Sequence, residues 1–324
     1  MKRRLAAQHV PVAATTLVAA LLYVAAGLRY PRFCSWNVLV NLVGDNAFLG
    51  LAALGMTFVI LSGGIDLSVG AVLGCASILL AVLIEHAHVR PLVAMLLVLV
   101  LGVTFGAVMG SFIHFFRLPP FLVTLAGMFL ARGTAFLISF ETIGIRAPLY
   151  ERTAVFGAEV FPVSGLVFIG ALGGAVYAAH FTRFGRSVYA LGGHEPSARL
   201  MGLPVGRTKI AVYALSGFCS ATAGVVYTLY MCSGNASAGT MLELDAIAAV
   251  VIGGTRLSGG VGYVWGTVIG VLIYGIVQTA IAFEGTLSAW WTRIVVGALL
   301  LAFILLQKLG QGRARGRAAG IGRA

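Results

Sequence analysis

FTRFGRSVYALGGHEPSARLMGLPVGRTK, residues 181–209, is a polar stretch set between two long apolar runs, 162–180 and 210–230. It holds five of the chain's cations, Arg183, Arg186, Arg199, Arg207 and Lys209. A basic segment between membrane spans faces the cytoplasm. Within it, Gly192 and Gly193 permit a sharp turn, and Pro196 suits a first helical turn, where its missing N–H costs nothing. A short helix is therefore expected over 196–201, introduced by Gly192, Gly193, His194 and Glu195. Two readings stand side by side: a solvated connector, or a docking element for a cytoplasmic partner.

The chain around this stretch is built for lipid. Its 324 residues are 60% hydrophobic and only 10% charged, with a mean hydropathy of +1.00. A soluble domain carries about a quarter charged residues. Repeated apolar runs of spanning length point to an all-α polytopic membrane protein, a single transmembrane domain over 1–324 with the cytoplasmic loop 181–209 inside it. The net charge of +12 does not indicate nucleic acid, because the cations fall in short loops and tails beside apolar spans; the positive-inside rule and anionic membrane lipid account for them. Cys34, Cys75, Cys219 and Cys232 form no metal-ligand spacing and no disulfide framework, so no metal site is expected.

Ten segments are expected: 10–28, 46–61, 67–84, 92–113, 118–139, 162–180, 210–230, 243–255, 263–283 and 290–306. In this layout residues 29–45 form an outside loop, as do 140–161 and 231–242. Inside segments then hold 15 Lys or Arg and outside loops six, which places both termini in the cytoplasm. The short segments beside two glycine breaks fit least well as complete spans.

Those breaks repeat. Leu61-Ser62-Gly63-Gly64 is followed by Gly70 and Gly74, and Leu257-Ser258-Gly259-Gly260 by Gly266 and Gly270 at the same spacing. Paired broken helices in two related halves mark the transport region of many carriers, although glycine-rich turns are also common in membrane helices. Five polar residues are candidates for a translocation path: Asn46, Asp66, Arg132, Glu243 and Asp245. Asp66 reads as a helix cap slightly ahead of a path residue. Arg132, inside a span, is expected to pair with a buried acid or line an aqueous cavity. Glu243 and Asp245 open a short apolar piece, where they either complement its dipole or bind hydroxyls. Trp290 and Trp291 read as interfacial anchors ahead of a sugar-stacking platform. The LSGG tetrapeptides also occur in ATP-binding cassettes, but no G-x-x-x-x-G-K-[ST] exists here, and neither H-E-x-x-H nor G-x-S-x-G is present. The chain is expected to transport, not to catalyse.

GMTFVILSGGIDLSVGAVLG (55–74), LPPFLVTLAGMFLARG (118–133), FGRSVYALGGHEPSARLMGLPV (184–205) and AIAAVVIGGTRLSGGVGYVWGT (246–267) resemble the permease subunits of ribose-type ABC sugar importers. The resemblance covers nearly the whole chain. It implies a bacterial inner-membrane location, a second permease subunit (a sister or an identical copy) and a periplasmic sugar-binding protein. It also implies a cytoplasmic ATPase, which uses ATP and Mg while this chain holds no cofactor. The ATPase would contact Gly192, Gly193, His194, Glu195, Ala198, Arg199 and Gly202. The family usually has Asn where this chain has His194, which puts one fine contact in question. DNAFLG (45–50), LELDAIA (242–248) and FEGTLSAWWT (283–292) are most similar to one of the two permeases of the galactofuranose importer. A secondary sugar carrier driven by an ion gradient is the rival reading.

Overall fold

The computed structural model describes residues 2–159, 161–288 and 290–321. The side chains of Lys2, Arg3 and Arg4, of Glu159 and of the basic tail from Lys308 lie outside the described residues, so the charge reading of the termini rests on sequence. In chain order the elements are α1 (Lys2–Arg29), α2 (Trp36–Asp45), α3 (Ala47–Leu61), α4 (Val69–Glu85), α5 (Pro91–Phe115), α6 (Pro120–Ile138), β1 (Ile143–Gly144), α7 (Pro148–Glu159), α8 (Val163–Phe181), α9 (Arg183–Gly193), α10 (Glu195–Leu200), α11 (Val205–Met231), β2 (Ser233–Gly234), α12 (Leu242–Ile252), α13 (Val264–Glu284) and α14 (Trp290–Ile321). The chain is an all-α polytopic membrane protein, with one short ribbon of two two-residue strands among the described residues.

Every one of the ten expected segments contains a helix. Among the described residues, six helices are long and apolar enough to cross a membrane, or seven if the bent pair α2–α3 counts as one span. The helix α4 and the apolar part of α14, Trp290–Leu306, are shorter. Two expected loops are more ordered than their polarity suggests. Residues 29–45 contain α2, started by Ser35, whose hydroxyl accepts from Val38 N at 3.4 Å. This helix meets α3 at a 50° bend. Residues 181–209 are not a loop: they are mostly the helices α9 and α10.

The centre of the bundle is α3. Of its residues only Phe48 escapes full burial, as expected for a helix apolar on every side. It packs against α8, α11, α12 and α13. Among the described residues the most extensive helix pairing is α5 with α11. Gly102, Gly106 and Gly110 form one small-residue stripe on α5 and receive α11 backbone directly. A Cβ on Gly106 would collide with the Tyr213 carbonyl, and one on Gly110 would lie 2.8 Å from Ile210 Cα. At the other end, β1 pairs antiparallel with β2, Ile143 opposite Gly234 and Gly144 opposite Ser233. The two segments expected on the outside, 140–161 and 231–242, are thus joined to each other.

Candidate functional site

The basic stretch folds from local chemistry. Thr182 caps α9, its hydroxyl accepting from Gly185 N at 3.2 Å. The apolar residues Val188 and Leu191 turn inward. His194 then caps α10: its Nδ1 accepts from Ser197 N at 3.2 Å. That capping role is one an asparagine serves well, so the histidine supplies the same acceptor. Pro196 lies in the first turn, and Gly202, at φ +75°, ends the segment. Glu195 accepts from Arg199 at 3.2 Å and lies 2.8 Å from Lys209. Burial alone would raise its carboxyl, but these two cations hold it below the usual carboxylate range.

The faces of α10 differ from the sequence expectation. Ala198 is buried inside this chain, against Leu191 and Val205, and is not presented to a partner. The face left open is Leu200, 89% exposed, with Met201 and Arg199 beside it. The apolar pair Leu200–Met201 had no signal of its own in the sequence.

Behind α10, three glycine segments meet. Gly260 N donates to the Leu61 carbonyl at 2.9 Å, which ties the second glycine turn to the first. Gly63, Gly259 and Gly260 have φ of +85°, +81° and +72°, a region glycine enters freely. Gly192 sits against both turns: a Cβ there would collide with the Leu61 carbonyl oxygen and lie 2.6 Å from Gly260 N. The expected sharp turn at Gly192-Gly193 is absent, since both residues end α9. Gly192 is required for close approach instead, while a Cβ on Gly193 would point into open space. Gly64 makes room for the Tyr213 ring, since a Cβ there would lie 3.4 Å from Tyr213 Cζ and closer still to the hydroxyl. The repeated turns are therefore in contact, and the end of α9 leans on both.

The path candidates separate into two groups. Asp66 is 1% exposed and accepts from Ser68 N at 2.9 Å, Ser68 Oγ at 2.7 Å and Ser216 Oγ at 2.7 Å. It closes the turn into α4 and ties it to α11. Asp66→Ala is expected to destabilise the chain by about 1–3 kcal/mol, because it orphans buried donors. Asp66→Asn should keep abundance and transport near normal, since Asn also caps. Melting of the detergent-solubilised chain beside an uptake assay reads both. Lost transport at normal abundance in the Asn variant would move Asp66 from the turn to the path. Asn46 marks the α2–α3 bend, donating to Leu42 O at 2.9 Å and filling the space over Gly275 of α13.

The second group lies around α4 and α12. From β2 to Thr240 the chain runs without helix along α4, with Gly234 on Ser77 and Gly239 on Gly70. Irregular backbone inside a bundle needs its carbonyls satisfied. Arg132 does this, donating from Nη1 to Ala236 O at 2.6 Å and Ala238 O at 2.7 Å. Gly74 leaves the room for that guanidinium, and Gly70 the room for Glu243. Glu243 Oε2 is buried and has no hydrogen-bond partner among the described residues. Asp245 accepts from the Tyr274 hydroxyl at 3.1 Å. Arg132, Glu243, Asp245 and Tyr274 are suited to exchange hydrogen bonds with hydroxyls. None of these groups is placed as an attacking nucleophile with an adjoining base.

The bundle is thus broken at two touching glycine turns, with the end of α9 seated on both. Over residues 38–304 the chain matches the family described as the permease component of branched-chain amino acid transport systems, and it belongs to that family. Among its relatives is the inner membrane ABC transporter permease protein YjfF of Escherichia coli (strain K12), 47% identical over 306 residues, which cover 93% of this chain and 92% of that one. The fructose import permease protein FruG of Bifidobacterium longum (strain NCC 2705) is 35% identical over 93% of this chain and 91% of its own. The ribose import permease protein RbsC of Escherichia coli (strain K12) is 36% identical over 91% and 94%. No solved structure matches the chain.

Proposed function

We propose that the chain is the transmembrane subunit of an ATP-driven ABC importer that moves a monosaccharide, galactofuranose, across a bacterial inner membrane. The observation that carries the reading is the seating of the end of α9, which leads directly into α10, on both glycine turns, because a displacement there reaches the α3–α4 and the α12–α13 breaks together. A cytoplasmic ATPase, with its own ATP and Mg, docks on the open Leu200–Met201 face. A second permease completes the path, and a periplasmic binding protein delivers the sugar to the opposite end. All ten segments belong to the membrane domain, with both termini cytoplasmic. The importer relatives named for ribose and fructose support a monosaccharide cargo, and the segments 45–50, 242–248 and 283–292 favour galactofuranose among them.

Glu243 and Asp245 are the acceptors for sugar hydroxyls. Uptake of labelled galactofuranose into vesicles holding the complete importer tests the cargo. Unlabelled galactofuranose should compete better than ribose or fructose, and Glu243→Gln should lower uptake about tenfold, the loss of roughly one hydrogen bond to a charged group. Better competition by ribose or fructose would overturn the cargo, and full uptake in the Gln variant would remove Glu243 from the path.

A further inference from the structure

The end of the bundle that carries α10 also holds a polar pocket of about 360 Å³, formed by the first glycine turn at Ser62–Gly64, the α5–α6 turn, α10 and α11. Arg117, Arg199 and Lys209 line it, and Glu195 is its one carboxylate. Glu195 is shared by two of the cations, at 3.2 Å from Arg199 and 2.8 Å from Lys209. Arg117 has no ion pair or hydrogen bond among the described residues. Its φ of 54° is a left-handed conformation that a glycine would adopt at lower cost. Tyr213 lines the same pocket; it is 2% exposed and its hydroxyl has no partner among the described residues. The available groups are thus donors, with positive charge in excess. A buried donor gains most from an acceptor brought to it.

An apolar groove of about 860 Å³ adjoins this pocket, lined by α4, α5 and α6. Leu118 lines both the groove and the pocket. The groove opens outward, and Leu101, Val108, Leu122 and Leu130 along it are exposed. An exposed apolar face on a membrane helix lies against acyl chains. One ligand chemistry fits both halves, an acceptor-only anion joined to a long apolar chain.

We propose that the pocket and the groove are one binding site for an anionic glycerophospholipid. The phosphodiester sits on Arg117 and the Tyr213 hydroxyl, beside the Lys209–Glu195–Arg199 cluster. One acyl chain lies along α5 and α6. A zwitterionic headgroup adds a cation where positive charge is already in excess, so it binds more weakly. Basic pockets between membrane helices hold anionic headgroups on this principle.

Photolabelling of the purified full chain in phosphatidylcholine vesicles tests the site. The vesicles carry a minority of phosphatidylglycerol with a photoreactive group midway along one acyl chain, or the matching phosphatidylcholine probe. The phosphatidylglycerol probe should label residues of the α5–α6 groove in preference to the phosphatidylcholine probe. Arg117→Gln should reduce that preference about fivefold, the equivalent of ~1 kcal/mol for one basic residue at an anionic lipid. Arg117→Lys should retain most of it. Ala126→Trp, at an exposed position lining the groove, should remove labelling by both probes while melting stays normal. Equal labelling by the two probes, or a preference indifferent to Arg117→Gln, would overturn the site. So would labelling erased by inorganic phosphate alone, which assigns the pocket to a free anion. Protection of the groove on addition of a second permease copy would assign it to a subunit interface. Loss of ATPase association in Arg117→Gln with unchanged lipid preference would assign the pocket to that partner.

Discussion

Gly192→Ala is expected to uncouple the transporter, whereas Gly193→Ala one residue away is expected to be nearly silent. The added methyl at Gly192 meets the Leu61 carbonyl and the Gly260 amide, both backbone groups that cannot turn aside. Accommodating it must separate α9 from one of the two glycine turns, at the cost of about 1–3 kcal/mol usual for overpacking. The hydrogen bond from Gly260 N to Leu61 O lies in the same contact and should weaken with it. At Gly193 the methyl enters open space and favours the helix. In vesicles with the ATPase and loaded binding protein, Gly192→Ala should lose most sugar-stimulated hydrolysis, and Gly193→Ala should keep it. Equal activity in the two variants would show that contact between α9 and the glycine turns is not part of coupling.

The second large effect is expected at Leu200. It is 89% exposed at the end of α10, so Leu200→Glu leaves the fold of the isolated chain intact. On the proposed docking face it buries an unpaired carboxylate against the ATPase, a penalty of several kcal/mol. ATPase co-purification should be lost while membrane abundance and melting are unchanged. Ala198→Glu cannot make this distinction, because Ala198 is buried within the chain and its replacement harms folding first. Full ATPase co-purification with Leu200→Glu would move the docking surface elsewhere.

Long apolar runs report helices directly, and each of the ten expected segments contains one. The stretch 181–209 is harder to read because charge dominates its composition. Its helical signal is still present in Phe184, Val188 and Leu191, spaced to share one face. The arginines of residues 29–45 suggest a loop, although WNVLVNLVG follows a good cap at Ser35. Length is the remaining difficulty: α4 and α12 are short because each adjoins a glycine turn, and span counts by length omit them.

The candidate site is legible where its chemistry is local. The cap roles of Asp66 and His194 and the first-turn place of Pro196 need only neighbours in sequence. The contacts that organise the site are long-range. Arg132 reaches carbonyls 104 and 106 residues away, and no periodicity announces a backbone acceptor. The repeat shows that the two glycine turns are alike, not that Gly260 bonds Leu61 or that Gly192 packs between them. Glycine in each case marks absent volume, and the sequence does not say whose atoms fill it.

The central claim, that this permease is driven through α10 by a nucleotide-hydrolysing partner, is tested most directly by the energy source of sugar uptake. The measurement is accumulation of labelled sugar in sealed vesicles containing this chain, its second permease and the ATPase, with binding protein on the periplasmic face. Uptake should require ATP on the ATPase side, should need the binding protein, and should persist when proton and sodium gradients are collapsed. Uptake driven by an ion gradient with neither ATP nor binding protein present would contradict the account.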